Sequence, residues 1–111
     1  MEKFRNIEYS VENGVLVASV PSRDFVMEQA QDVVDLVFDK FDSGPAEIVL
    51  DISAVNYINS SGISVVIRLN LERKLVLVGP TRTVRDILEL TGVLPFVPEA
   101  PSVGEALKLF S

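Results

Sequence analysis

The stretch DISAVNYINSSG, residues 51–62, lies between two segments that resemble buried strands. It begins at the end of Glu47–Ile52, whose continuous apolar run is typical of a strand inside a parallel sheet. Leu75–Val78 is a second run of this kind, and Gly79 and Pro80 end it. Parallel neighbours need a crossover of a dozen or more residues, usually a helix, which the intervening residues must supply. The stretch therefore predicts an α/β layer fold with parallel strands.

The segment that follows the stretch, Ile63–Leu71, carries conflicting signals. Apolar residues occupy every second position, and several are β-branched, so the local pattern favours a strand. The crossover requirement favours a helix instead, and Ser60 or Ser61 before Gly62 is a suitable helix N-cap. Periodicity thus predicts a strand here and topology predicts a helix, preceded by a polar loop over Ser53–Ser61.

The residues before the stretch predict a hairpin and then a helix. Ile7–Val20 contains two strand-like segments joined at Asn13-Gly14, a dipeptide typical of tight hairpin turns. Asp24–Phe41 has an apolar stripe at helical spacing and is followed by a Ser-Gly-Pro terminator. Four acidic residues fall on the other side of this predicted helix: Glu28, Asp32, Asp35 and Asp39. We expect them to form a solvated face, the alternative being a docking surface for a basic partner.

The residues after Pro80 predict two further helices and a short strand. Thr81 or Thr83 can cap a helix that Gly92 ends. Phe96-Val97, between two prolines, is expected to be a short strand. Ser102 begins a capping-box pattern, which predicts a final helix through Leu109.

Together these elements predict the architecture. We expect one mixed, mostly parallel sheet with helices packed on it, in which an N-terminal hairpin precedes alternating strands and helices. The chain of 111 residues lacks an internal repeat or linker, so residues 1–111 are expected to form a single domain.

Composition excludes several functional classes. The chain has no Cys and no His, which removes thiol catalysis, Cys- or His-based metal sites and a Ser-His-Asp triad. Its net charge of -6 argues against direct nucleic-acid binding. The charged N-terminus, Met1–Arg5, leads into no apolar stretch, and no segment is apolar enough for a membrane span. We therefore expect a cytoplasmic binding module that is not an enzyme and that uses no catalytic residue, metal or cofactor.

Three motifs resemble a known family. Residues 51–62 resemble the signature of the STAS domain family of anti-sigma factor antagonists, in which a strand and turn lead to Asp-Ser-Ser/Thr-Gly at the start of a helix. Ile87–Val93 is similar to the family's second recurring stretch, a helix that ends in Thr-Gly-Leu. Glu105–Leu107 fits the family's final helix. The resemblance implies the STAS fold over nearly the whole chain.

The resemblance also implies a phosphorylation-controlled partner switch. In the family, an unphosphorylated antagonist binds an anti-sigma factor that is also a serine kinase, and a sigma factor is released. The kinase then phosphorylates the first Ser of the motif, and a serine phosphatase resets the antagonist. Carried to this chain, the phosphoacceptor is Ser60, with Ser61 as the second choice, and Gly62 lets the backbone approach a partner closely. The partner-binding residues are then Asn59, Ser60, Ser61, Gly62, Tyr57 and Asp24.

Some of these residues have a simpler interpretation. In this interpretation the only role of Ser60 and Ser61 is to cap the helix. Tyr57 and Ile58 could be either an exposed patch or part of the core. Asp51 is expected to be a turn residue that binds its own backbone.

The chain departs from the family pattern at three places. Asn59 replaces the usual Asp and so brings no charge, and the span from Gly62 to Pro80 is shorter than usual. Val20–Asp24 replaces the usual Gly-Glu/Asp-Leu-Asp loop. These differences keep an alternative function open: a STAS-like module without a phosphoswitch, which binds a small ligand or belongs to a transport or signalling complex.

Overall fold

The strands of the predicted hairpin and the two predicted buried strands belong to one mixed sheet in the computed structural model, which describes residues 1–111. The strands are β1 Glu2–Phe4, β2 Ile7–Glu12, β3 Val15–Ser19, β4 Asp24–Phe25, β5 Glu47–Asp51, β6 Tyr57–Ile58, β7 Lys74–Val78 and β8 Glu99–Ala100. The α-helices are α1 Met27–Asp35, α2 Ser60–Glu72, α3 Arg82–Leu90 and α4 Val103–Lys108. A π-helical turn, Leu36–Lys40, extends α1, and a 3₁₀ turn covers Leu94–Phe96.

The order of the main sheet is β1-β2-β3-β5-β7-β8. The first two pairings are antiparallel, and the other three are parallel. The hairpin turns at Asn13 and Gly14, whose φ angles of 54° and 77° lie in the left-handed region that a type I′ turn requires. The predicted mixed, mostly parallel sheet is thus confirmed, with β1 as an added edge strand.

The central strands have apolar side chains on both faces. One face of the sheet packs against α1, α2 and α3 and includes Leu16, Ile48, Leu50 and Leu77. The neighbouring residues on the same strands point to the other face, where they form a smaller cluster with α4. Burial on both faces explains the continuous apolar runs that mark these strands in the sequence.

The predicted helix over Asp24–Phe41 is wrong at its start. Asp24-Phe25 forms β4, and the helical segment runs from Met27 to Lys40. The short strand predicted at Phe96-Val97 is also wrong, because Phe96 ends the 3₁₀ turn and the strand lies at β8. In both places the observed strand depends on a partner strand far away in the chain, which local patterns do not reveal.

The segment with conflicting signals is a helix. Its buried positions, Gly62, Val65, Val66 and Leu69, are spaced three and four residues apart and face the core. The alternation in the sequence arises because two apolar residues of α2, Ile67 and Leu71, are exposed. The crossover between parallel strands therefore determined the structure of this segment against its local pattern. None of the helices in the chain combines the length and apolar composition of a membrane span.

Arg73, the residue after α2, binds the backbone that follows the C-terminal end of the helical segment Met27–Lys40. Its guanidinium donates to the carbonyl oxygens of Pro45 at 2.8 Å, Asp42 at 3.2 Å and Phe41 at 3.4 Å. It also lies 5.3 Å from the centre of the Phe38 ring. One side chain thus satisfies several carbonyl groups where the helical segment ends.

We expect Arg73→Ala to lower the free energy of unfolding by about 1.5–3 kcal/mol, because hydrogen bonds from a charged donor to these carbonyls are lost. Urea denaturation measures the change. Arg82→Ala is the matched control, since this side chain is 94% exposed, and should change stability by less than about 0.5 kcal/mol. Equal stability of the two variants would contradict the role of Arg73.

The acidic row on α1 is only partly solvated, which corrects the expectation from the sequence. Asp32 is buried, with 6% exposure, and its carboxylate lies 3.6 Å from the Arg5 guanidinium and 3.3 Å from the Asn6 side-chain amide. Arg5 also donates to Asp35, and this hydrogen bond, aided by one from Gln31, lowers the pKa of the Asp35 carboxyl. The turn between β1 and β2 thus packs against Asp32 and Asp35, and this part of the acidic row is not free for solvent.

Arg5 should therefore make stability depend on pH. A carboxyl group whose pKa is lowered by folding stabilises the folded state above its unfolded pKa, and this contribution disappears as pH falls through the folded value. We expect Arg5→Ala to be less stable than the wild type at pH 7, and the difference to shrink below about pH 4, near the usual Asp pKa. Urea midpoints across pH, with Lys3→Ala as control, measure it. A difference that stays constant would exclude the Asp35 contribution.

Candidate functional site

A second, two-stranded sheet holds the candidate site at the carboxyl ends of β3 and β5. β4 and β6 pair in parallel, with Asp24 opposite Tyr57 and Phe25 opposite Ile58. The Arg23 carbonyl oxygen accepts hydrogen bonds from the backbone amide of Asn56 at 2.8 Å and from that of Tyr57 at 3.0 Å. The loop Val20–Asp24 is therefore held beside the motif stretch, residues 51–62.

The alternation along β6 resolves the question about Tyr57 and Ile58. Ile58 is 2% exposed and belongs to the core, whereas Tyr57 is 53% exposed. The same alternation in β4 buries Phe25 and exposes Asp24. Asp24 and Tyr57, opposite each other in the register, thus form an exposed acidic and aromatic pair.

Asn59 caps α2. Its side-chain oxygen accepts hydrogen bonds from the backbone amides of Ser61 at 3.0 Å and Gly62 at 3.3 Å. The backbone carbonyl of Asn59 accepts from the amide of Ile63 at 2.9 Å, which starts the helical ladder. Asn therefore performs the capping that an acidic residue would perform, without the charge. The cap that the sequence allowed at Ser60 or Ser61 lies one residue earlier, at Asn59.

Ser60 is the first residue of α2 and is exposed, whereas Ser61 is half-buried. Since Asn59 supplies the cap, the Ser60 hydroxyl is available for another role. Two first-turn amides are already bound to Asn59, so a negative group on Ser60 would be stabilised chiefly by the positive end of the helix dipole.

Gly62 lies in a tight contact within the chain. A Cβ atom at this position would lie 2.3 Å from the Phe25 carbonyl oxygen and 2.7 Å from Ile58 Cγ1. The residue is buried, so the close approach that the sequence assigned to a partner occurs against β4 and β6 instead. Gly62 therefore shapes the site without forming part of its exposed surface.

Two further contacts hold the motif stretch in place. The Asp51 carboxylate accepts a hydrogen bond from the Ser53 amide at 3.0 Å, which confirms Asp51 as a turn residue. The Thr81 hydroxyl donates to the Val55 carbonyl at 3.1 Å while it accepts from the first turn of α3. The stretch is thus tied both to β5 and to the cap of α3.

Met27, which our sequence reasoning missed, lies beside the site in the chain. It begins α1 two residues after Phe25 and is 71% exposed. A large apolar side chain in the first turn of a helix, outside the apolar stripe, is the signal that could have identified it. Met27 therefore adds exposed apolar surface three residues after Asp24 in the chain.

Comparisons with known proteins identify the family and the fold of the chain. The family model described as STAS domain matches residues 6–106. An anti-sigma factor antagonist from Mycobacterium paratuberculosis has a similar structure, with 26% identity and a TM-score of 0.76 over 93% of this chain and 92% of that one. No curated protein sequence matches the chain.

Two more distant structures share the fold. The unphosphorylated anti-sigma factor antagonist SpoIIAA is 17% identical, with a TM-score of 0.77 over 94% of this chain and 95% of that one. A sulfate transporter family protein from Wolinella succinogenes is also 17% identical, with a TM-score of 0.75 over 90% and 87%. The family match over residues 6–106 shows that the chain belongs to the STAS domain family.

Proposed function

We propose that this protein is an anti-sigma factor antagonist that binds an anti-sigma factor with serine kinase activity. One observation carries the proposal: the exposed Ser60 hydroxyl at the start of α2, left free because Asn59 supplies the cap. The binding surface consists of Ser60 and Asn59 with Asp24 and Tyr57 beside them, and half-buried Ser61 contributes at its edge. Gly62 is buried beneath this surface, where its lack of a side chain lets α2 pack closely against β4.

The proposed switch acts at the contact surface. The kinase transfers the γ-phosphoryl group of ATP to Ser60 Oγ, ADP leaves, and the hydroxyl proton passes to a base on the kinase. The modification adds about -1.5 to -2 charges at pH 7. The start of α2 tolerates this charge, but a partner pressed against it would have to desolvate the phosphate. The complex then dissociates while the fold stays intact.

In the proposed cycle, binding of the anti-sigma factor alternates with phosphorylation and dephosphorylation of Ser60. The unphosphorylated protein holds the anti-sigma factor, so that a sigma factor is released and transcription proceeds. A serine phosphatase removes the phosphate and restores binding. The protein itself acts in the cytoplasm as a single domain over residues 1–111 and as a substrate, not as an enzyme.

Phosphorylation in vitro tests the proposal. The protein is incubated with ATP and each anti-sigma factor kinase of its source organism, and phosphate is located by mass spectrometry. We expect one phosphate on Ser60, its loss in Ser60→Ala, and its retention in the matched variant Ser61→Ala. Phosphate on no residue, or equally on Ser60 and Ser61, would refute the assignment.

A second candidate function is a STAS module without a phosphoswitch, in a transport or signalling complex. The neutral Asn59 favours it, because the motif then has no charge with which to orient a kinase or a metal. The fold shared with a sulfate transporter family protein is compatible with such a role. If Asn59→Asp becomes a kinase substrate while the wild type does not, this candidate is preferred.

A further inference from the structure

The helices α1 and α2 begin in the same way. Each follows a two-residue strand and a single N-cap residue, Val26 in α1 and Asn59 in α2. The backbone angles of the two caps are nearly equal, with φ of -118° and -111° and ψ of -164° and -171°. The paired strands β4 and β6 therefore turn into their helices along parallel paths, and the first helical residues are Met27 and Ser60.

The strand register makes Met27 the neighbour of Ser60. Phe25 pairs with Ile58, and the Phe25 carbonyl accepts from the Asn59 amide at 3.4 Å in the same parallel ladder. Two residues past the Phe25–Ile58 pair, Met27 is therefore opposite Ser60. Paired strands lie about 4.8 Å apart and packed helices about 8–10 Å apart, so the two backbones are separated by about 5–10 Å at this point.

Burial follows the same pattern in both segments. Phe25 and Ile58 are buried, whereas Met27 and Ser60 are exposed, Met27 to 71%. The two exposed side chains differ in what they offer a partner. Ser60 has a small hydroxyl with little contact area, whereas Met27 has a long and adaptable apolar side chain of a type that is enriched at protein interfaces. Met27 thus supplies the apolar contact area that Ser60 lacks.

We propose that Met27 is the apolar anchor by which the anti-sigma factor kinase recognises this chain, in an apolar pocket beside the kinase site that receives Ser60. The inference rests on the proposed function and adds a specificity residue to it. Because α1 and α2 start in register, a pocket that holds Met27 also fixes where the Ser60 hydroxyl lies relative to the bound ATP. Met27 is therefore a positioning residue, and a kinase without this pocket binds the chain weakly.

Steady-state kinetics of Ser60 phosphorylation test the anchor. Met27→Ala should raise KM for the chain about tenfold or more and leave kcat within about twofold, since the anchor is bound equally before and during phosphoryl transfer. Met27→Leu keeps the apolar volume and should restore KM to within about threefold of the wild type. The matched control, Leu90→Ala, truncates a side chain on α3 that is 87% exposed and should change neither constant.

Urea denaturation separates recognition from folding. Met27→Ala should be as stable as the wild type, because the replaced side chain is exposed and alanine is at least as good a helix former as methionine. A rise in KM without a loss of stability then reports a lost contact with the kinase.

Crosslinking tests the contact directly. The chain has no Cys, so Met27→Cys introduces a single thiol that can carry a benzophenone maleimide. Illumination of its complex with the kinase should crosslink the label to apolar kinase residues, which mass spectrometry locates, whereas labelled Leu90→Cys should give little product.

The outcomes distinguish this inference from the proposed function. A wild type phosphorylated on Ser60, combined with an unchanged KM for Met27→Ala or with no more crosslinking from Met27→Cys than from Leu90→Cys, overturns the anchor alone. A wild type that no anti-sigma factor kinase binds or phosphorylates overturns the proposed function and the anchor with it.

Discussion

Gly62→Ala is expected to lower the free energy of unfolding by about 2–4 kcal/mol, although alanine normally stabilises a helix by about 1 kcal/mol relative to glycine. The new Cβ would lie 2.3 Å from the Phe25 carbonyl oxygen and 2.7 Å from Ile58 Cγ1. Both neighbours belong to the paired strands β4 and β6, and a backbone atom cannot be displaced as easily as the end of a flexible side chain. α2 must therefore move away from β4. Urea denaturation measures the loss, which is a large part of a typical stability of 5–15 kcal/mol.

Gly104→Ala is the matched control for this prediction. Gly104 also lies in the first turn of a helix, α4, but a Cβ there would meet only Ser102 Oγ, at 3.9 Å. The substitution should leave stability unchanged or raise it by up to about 1 kcal/mol, because only the helix preference remains. The two glycines thus predict effects of opposite sign. A Gly62→Ala variant as stable as the wild type would show that α2 does not lie against β4 as described.

Ser60→Asp is expected to weaken the complex with the anti-sigma factor kinase by about a hundredfold or more, as expected for a charge buried in an interface without a partner. The substitution places a negative charge where the proposed phosphate lies, within the proposed surface. The fold should tolerate the charge, since an acidic residue at a helix N-terminus is neutral or stabilising by about 0.3–1 kcal/mol. Isothermal titration calorimetry and urea denaturation separate binding from stability.

Two controls define the result for Ser60→Asp. Thr83→Asp adds the same charge to the first turn of another helix, α3, and should bind the kinase like the wild type. Ser60→Ala removes the phosphoacceptor without adding charge and should also bind well. If Thr83→Asp weakens the complex as much as Ser60→Asp does, the effect comes from total charge, and the proposed surface is wrong.

Several features of the chain could be predicted from the sequence because local interactions create them. The Asn13-Gly14 turn follows from backbone conformations that few residues adopt, and the Ser102 cap accepts from the Glu105 amide at 3.1 Å as its pattern predicts. The strands β5 and β7 are evident because burial on both faces requires continuous apolar runs. Ser60 was identified by the resemblance of its motif, while its exposure comes from the structure.

Other features could not be predicted from the sequence, because they depend on contacts between segments far apart in the chain. Asp24-Phe25 has no strand signal and becomes β4 only through pairing with Tyr57-Ile58. Asp32 belongs to an acidic row that the sequence predicts to be solvated, but it is buried because the turn at Arg5 packs on it. The family resemblance assigns Gly62 to a partner contact, but the close neighbours of Gly62 are Phe25 and Ile58 of the same chain.

The sequence by itself determined the N-terminal hairpin with its Asn13-Gly14 turn, the two buried strands β5 and β7, the Ser102 cap of the last helix and a serine at the start of the motif helix. The tertiary structure alone decided that Ile63–Leu71 is helical, because parallel β5 and β7 need a crossover whatever the local pattern favours. It also decided which side chains of that helix reach solvent: Ser60 at one end, and Ile67 and Leu71 near the other. Exposure depends on how elements pack against one another, and no local stretch of sequence contains that packing.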